Sequence, residues 1–70
     1  MYYVYLLSSK IKKWHYIGYT EDLKTRFAEH NSKKVRSTKA YAPFELVYYE
    51  SYNNETVARS REIELKKNSQ

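Results

Sequence analysis

Tyr2–Ser8 reads YYVYLLS, a run of aromatic and aliphatic side chains with no breaker. That composition suits a pleated strand, and its continuity predicts one covered on both faces. Ser9 to Trp14 is polar and lysine-rich, after which His15–Tyr19, HYIGY, resumes the aromatic-aliphatic pattern. Two such runs across a loop of this length predict an antiparallel hairpin. Gly18, the only glycine in the chain, stands at the end of the second run. There it marks a bulge or strand terminus, or lets a backbone or a phosphate approach closely.

Downstream, Thr20, Glu21 and Asp22 offer N-cap oxygens, and Leu23 with Phe27 at i,i+4 forms an apolar stripe, so a helix is predicted to end near Asn31. Asp22, Arg26 and His30 recur at four-residue intervals and therefore share one face beside that stripe, the polar face proposed for a site. Ser32 to Tyr41 carries Lys33, Lys34, Arg36 and Lys39 with little periodicity and is closed by Pro43, which reads as a basic loop with room for one helical turn. Phe44–Tyr52 is a third strand. Alternation puts Phe44, Leu46 and Tyr48 on one face and Val47 and Tyr49 on the other, both partly covered. Asn53 or Asn54 caps a second helix from about Glu55 to Lys67, with Val57, Ala58 and Leu65 as its buried stripe and Glu62 at the edge. Asn68, Ser69 and Gln70 follow without a C-cap motif. The expected architecture is α+β: one domain over residues 1–70, in ββαβα order, with a small three-stranded antiparallel sheet flanked by helices.

Thirteen Lys and Arg against eight Asp and Glu leave a net charge of +5 on 70 residues. A folded basic surface suits a polyanion, although a charge of this size also serves solubility. Cysteine is absent, which excludes disulfides, thiolate metal sites and cysteine nucleophiles, and favours a reducing, cytoplasmic setting. No apolar run approaches the roughly 20 residues of a membrane span, and Met1 leads directly into a patterned strand without signal-peptide character. A Gly-rich phosphate loop, HExxH, CxxC and G-x-S-x-G are all missing. What remains is a scattered set of polar groups on packed elements: Tyr5, Tyr16, Arg26, His30 and Glu62. Each has a structural reading: core aromatics with hydroxyls at the surface, a solvated arginine, a histidine answering the helix dipole, and a glutamate paired with Lys66.

Together with their context these residues resemble a known family. YVYLL at Tyr3–Leu7, YIG at Tyr16–Gly18 and DLKTRFAEHN at Asp22–Asn31 are similar to the GIY-YIG nuclease superfamily. PFELVYYE at Pro43–Glu50 and ARSREIELKK at Ala58–Lys67 look like its small stand-alone members related to the excinuclease C subunit. Tyr3 stands where the family name has Gly. The resemblance implies an endonuclease that nicks DNA, branched or single-stranded, in repair or processing, through one divalent ion, Mg²⁺ with Mn²⁺ as a substitute. The runner-up is a non-catalytic nucleic-acid-binding module on the same fold. Residue by residue, Tyr5 matches the tyrosine of the first motif, Tyr16 and Gly18 the second, Arg26 and His30 the helix pair, and Glu62 the metal ligand. Family members usually continue into a further C-terminal helix or turn bearing a supporting asparagine; that part is expected to be lacking here, and the role is not transferred to Asn68.

The chemistry suits these residue types. Arg26 can meet phosphoryl oxygens with a planar fork, and one carboxylate suffices for an ion that keeps several waters. Tyr5 is expected to deprotonate the attacking water, with Tyr16 orienting it and His30 relaying a proton. A tyrosine base near neutral pH needs its pKa lowered by roughly 2 to 3 units from about 10, a shift assigned to Arg26 and the metal. Lys10, Lys12 and Lys13 in the hairpin and Lys33, Lys34, Arg36 and Lys39 in the loop are expected to contact phosphates, and Trp14, Tyr19 or Tyr41 to stack on unpaired bases. A monomer is expected, since a single site nicks one strand.

Overall fold

The YYVYLLS run forms the centre of the sheet. β1, Tyr2–Ser9, lies between β2, His15–Thr20, and β3, Phe44–Tyr52, antiparallel to both, in the order β2-β1-β3. α1, Leu23–Asn31, a 3-10 turn at Lys39–Tyr41 and α2, Glu55–Asn68, complete the expected α+β fold. The computed structural model describes residues 1–68, so the expectation about a C-cap beyond Asn68 falls on Ser69 and Gln70, outside the described residues. No helix among the described residues is long and apolar enough to cross a membrane.

The register separates two faces. Tyr5, Leu7, Tyr16 and Phe44 point toward α1 and its following loop, where Leu23, Phe27, Tyr41 and Ala42 pack on them. Val4, Leu6, Ile17 and Tyr19 face α2. Val4, Tyr5 and Leu7 are all buried, so the central strand is covered on both sides, as its unbroken apolar run predicts.

β3 departs from strict alternation. Leu6 opposes Tyr48 while Leu7 opposes Leu46, so Val47 is an extra residue that bulges out of the ladder. Phe44 and Leu46 keep the α1 face, but the bulge turns Tyr48 to the α2 face with Glu50 and Tyr52, and brings Tyr49 to the α1 face, edge-on to Tyr3. The expectation that Tyr48 sides with Phe44 is therefore corrected. Both faces are partly covered, by α1 on one side and α2 on the other, although as an edge strand β3 leaves Val47 and Tyr49 more than half exposed, at 53% and 54%.

α1 begins on Asp22, whose carboxylate accepts from the Thr25 N–H at 3.1 Å and the Thr25 hydroxyl at 2.8 Å. These bonds hold the Asp22 carboxyl below its ordinary pKa. Its end is a Schellman turn: the Lys34 N–H reaches the Glu29 carbonyl at 3.0 Å and the Lys33 N–H the His30 carbonyl at 3.2 Å, with Lys33 left-handed at φ 62°. Glycine is the usual residue there because a Cβ strains that conformation. Lys33→Gly is expected to raise stability by about 0.5–1 kcal/mol, the strain relieved being larger than the added unfolded-state entropy. A urea midpoint unchanged or lowered would show that Lys33 is unstrained.

α2 is capped by the Asn54 side chain, which accepts from the Val57 N–H at 3.1 Å. Its sheet-facing stripe is Ala58, Arg61, Glu62 and Leu65, at i, i+3, i+4 and i+7. Val57, expected in that stripe, is 49% exposed. Two of the four inward positions are thus charged, and Arg61 is satisfied by β3: its Nε and Nη2 donate to Glu50 at 2.9 and 3.0 Å. Glu50 also accepts from the Tyr52 hydroxyl at 2.6 Å and from that of Tyr48.

Candidate active site

Position 18 explains how Tyr5 reaches its partners. Gly18 lies opposite Tyr5 in the β1–β2 ladder, inside β2 rather than at its end. A Cβ there would overlap the Tyr5 Cζ and hydroxyl and lie 2.9 Å from Tyr16 Cε2. The register is regular here, so no bulge requires this glycine. It leaves the space through which the Tyr5 ring crosses β2.

The Tyr5 hydroxyl ends 2.8 Å from His30 Nε2, in the core, with the Arg26 guanidinium near enough for its charge to act on both groups. The rings of Tyr5 and Tyr16 lie 6.2 Å apart and those of Tyr16 and His30 5.1 Å apart. Tyr5, Tyr16, Gly18, Arg26 and His30 therefore converge on one spot, built by β1, β2 and α1. Asp22 does not join them; its carboxylate is committed to the helix cap. His30, in the last turn of α1, is fully buried, and its Nδ1 lies 2.8 Å from the Thr38 hydroxyl. Thr38, equally buried, went unnoticed in a lysine-rich loop.

Without a bound cation, electrostatics at this spot favour the neutral forms. Burial, reinforced by Tyr16, pushes the Tyr5 phenol up to about 12, with Arg26 only partly opposing it. Burial, then the Arg26 charge, lowers His30 to about 4. The resting pair is neutral phenol and neutral imidazole. Glu62, on α2, has its carboxylate close enough for its charge to raise Tyr5 further, and Lys66 pairs with its Oε2 at 3.0 Å. Its side chain is 18% exposed, open to a ligand on one side.

The basic residues form two loops held together at one end of the sheet. The Ser9 hydroxyl donates to the Tyr41 carbonyl at 2.6 Å, the Lys10 N–H donates to the Pro43 carbonyl at 2.9 Å, and Trp14 stacks on Tyr41 at 3.9 Å. Lys10, Lys12 and Lys13 thus lie beside the loop of Lys33, Lys34, Arg36 and Lys39, all exposed. Free aromatic faces are another matter. Trp14 lies between Tyr41 and Tyr16, Tyr41 between Trp14 and the Lys12 ammonium, and Tyr19 between Tyr2 and the Arg59 guanidinium. A groove of 520 Å³ between α1 and β3, lined by Tyr3, Leu23, Phe27 and Tyr49 among others, contains none of the converging residues.

A three-stranded antiparallel sheet whose first two strands present a tyrosine each, followed by a helix carrying arginine and a second helix carrying glutamate, defines a GIY-YIG domain. The chain belongs to that family, matching the GIY-YIG catalytic domain over residues 1–70. It is similar to the UPF0213 proteins of Streptococcus pyogenes serotypes M3, M1 and M4, each 41% identical over 66 residues, which is 93% of this chain and 71% of theirs. No solved structure matches it. The family is one of nucleases, which generally use a divalent metal.

Proposed function

We propose that this domain is a metal-dependent endonuclease that nicks branched or single-stranded DNA in repair or processing, acting as a cytoplasmic monomer. The observation that carries the reading is the Tyr5 hydroxyl, which bonds to His30 within reach of the charges of Arg26 and Glu62. An imidazole on its oxygen and a cation close by equip it to move a proton beside an anion.

The donor set fits a hard cation. Glu62 offers a carboxylate oxygen, and no group of three or more His, Cys, Asp or Glu side chains among the described residues forms a protein cage. Mg²⁺ is commonly held by one or two carboxylates with water and substrate phosphate, and Mn²⁺ accepts the same donors. Glu62 would hold it, and when bound the ion would supply Lewis-acid stabilisation of the phosphoryl oxygens.

The chain's own groups do the rest. Arg26 meets the non-bridging oxygens with its donor fork, and the two lysine-rich loops hold flanking phosphates. As water attacks phosphorus and the bond from phosphorus to the sugar oxygen breaks, the water proton passes to the Tyr5 oxygen while the Tyr5 proton passes to His30 Nε2; Tyr16 orients the water, and the departing sugar oxygen takes a proton from solvent. The pKa values of about 12 and about 4 place the Tyr5–His30 ion pair on the order of 10 kcal/mol above the neutral pair in the free chain, before their mutual attraction. A phosphate on Arg26 neutralises the cation that depresses His30, which moves the imidazole toward basicity at the moment it is needed.

Labelled branched, nicked and single-stranded DNA, incubated with Mg²⁺, with EDTA and with Glu62→Ala, tests the reading. Nicking is expected with Mg²⁺ alone, and Glu62→Ala, Arg26→Ala and Tyr5→Phe are each expected to lower it by about 100-fold or more. DNA affinity, falling linearly with salt on logarithmic axes, should stay within a few-fold of wild type in Tyr5→Phe. Salt-dependent binding with no nicking under any condition would make the protein a non-catalytic nucleic-acid-binding module.

A further inference from the structure

We infer that Thr38 is a positioning residue for the reaction, fixing His30 in the tautomer whose Nε2 accepts the Tyr5 proton. The inference rests on the nuclease reading for its catalytic consequence, but not for its structural content.

Hydrogen-bond accounting around His30 leads there. The Thr38 hydroxyl points its proton toward the Val35 carbonyl, 3.5 Å away, which leaves its oxygen to accept. His30 Nδ1, 2.8 Å from that oxygen, is the donor and carries the ring proton. His30 Nε2 is then bare and accepts the Tyr5 hydroxyl proton at 2.8 Å, which completes the chain Tyr5, His30, Thr38, Val35 with every donor matched to an acceptor. Both His30 and Thr38 are fully buried, so no solvent is available to take over either end.

The backbone holds Thr38 in place independently of this chain. Its N–H reaches the Val35 carbonyl at 3.1 Å, as does that of Lys39 at 2.9 Å, so residues 35–39 form a tight turn folded over the His30 ring. Val35 is buried beneath that turn. The segment that carries Lys33, Lys34, Arg36 and Lys39 toward solvent therefore sends one side chain inward. Without the Thr38 oxygen, Nδ1–H is left unpaired in the core, and the ring proton moves to Nε2, where it opposes the Tyr5 proton instead of accepting it.

Imidazole ¹⁵N–¹H correlation spectra of the metal-free protein at neutral pH test the tautomer without reference to activity. His30 is expected to carry its proton on Nδ1. A proton on Nε2 in the wild-type chain would overturn the inference, whatever the nuclease assays show. Thr38→Val keeps the bulk and removes the oxygen; it is expected to shift the His30 proton toward Nε2 and lower kcat about 10- to 100-fold with KM within a few-fold. Thr38→Ser should restore both the Nδ1 signature and most of kcat. Should Thr38→Val fail to fold, the wild-type spectrum and the serine variant still decide the matter: a folded serine variant with its ring proton on Nε2 and wild-type kcat counts against the role. Absence of cleavage in the wild type together with an Nδ1–H signal would count against the nuclease reading and leave the positioning of His30 standing.

Discussion

Gly18→Ala is expected to lower nicking by at least about 100-fold and to destabilise the fold by about 1–3 kcal/mol. Tyr5 and Gly18 are direct partners in the β1–β2 ladder, and the phenol crosses above the glycine on its way to His30. An added methyl would overlap the Tyr5 Cζ and hydroxyl and lie 2.9 Å from Tyr16 Cε2. Relief by bending a flexible side chain is not open, since the Tyr5 ring is buried and its oxygen is bonded to His30. Something must move. Whichever ring yields, the geometry that brings both tyrosines to the Arg26 and His30 side of the sheet is lost, and a displacement near 1 Å is enough to slow a positioned reaction by two orders of magnitude. Single-turnover cleavage and urea unfolding measure the two effects separately. The source of the clash is checked by a double-mutant cycle: in a Tyr5→Ala background, where the ring is gone, Gly18→Ala should lose most of its cost to stability. Full activity in Gly18→Ala would mean that Tyr5 does not cross β2 in the working protein.

The same glycine illustrates what could be read from the residues and what could not. Elements whose identity follows from local pattern were legible: the apolar continuity of Tyr2–Ser8 marks a central strand, Asp22 before Leu23 and Phe27 marks a helix start, and Asn54 caps the second helix. Gly18 was visible as a special position, but its reason is a ring arriving from thirteen residues earlier, and no window around it contains that ring. Long-range partners hid the other features too. Arg61 turns inward because Glu50, on β3, accepts both its Nε and Nη2, and alone it reads as a surface charge. The bulge at Val47 has no glycine or proline to announce it, and a single inserted residue was enough to reverse the face assigned to Tyr48. For the site, the i,i+4 spacing of Arg26 and His30 correctly placed both toward one region, while the same spacing misplaced Asp22, whose cap bonds to Thr25 compete for it. The upward pull on the Tyr5 pKa in the metal-free chain was not legible, because a nearby cation is visible as a residue type, whereas depth of burial is a property of the whole fold.

Acidification from pH 7 to pH 2 is expected to remove roughly 6 kcal/mol of stability in two separate steps. His30 supplies the first. Its folded pKa, about 4, lies below the ordinary 6.5 because a buried imidazole resists charging, so between those values the unfolded chain binds the extra proton. The stabilisation is fully present above pH 6.5 and is lost as pH falls toward 4, about 3 kcal/mol in all. Glu50 supplies the second. The Arg61 hydrogen bonds, with those of Tyr48 and Tyr52, hold its folded pKa at about 2 against an ordinary 4.5, so its contribution is present above 4.5 and is lost as pH falls through 2, again about 3 kcal/mol. A domain of this length has a total stability of about 4–10 kcal/mol, so by pH 2 these two groups remove a large share of it. Urea midpoints measured at half-unit pH intervals separate the steps: His30→Gln should remove the slope between pH 6.5 and 4, and Glu50→Gln that below 4.5. The Glu50 step has a second consequence. Only Ala58 and Leu65 anchor α2 to the sheet through apolar contact along its inward stripe, so the Glu50–Arg61 clamp carries much of the attachment, and Glu62 directly follows Arg61 on that helix. Glu50→Gln at neutral pH, where His30 remains uncharged, should therefore loosen α2, seen as faster amide exchange in the helix than in β1, and lower nicking at limiting Mg²⁺ more than at saturating Mg²⁺. Equal exchange in the two elements would place the attachment of α2 elsewhere than in this clamp.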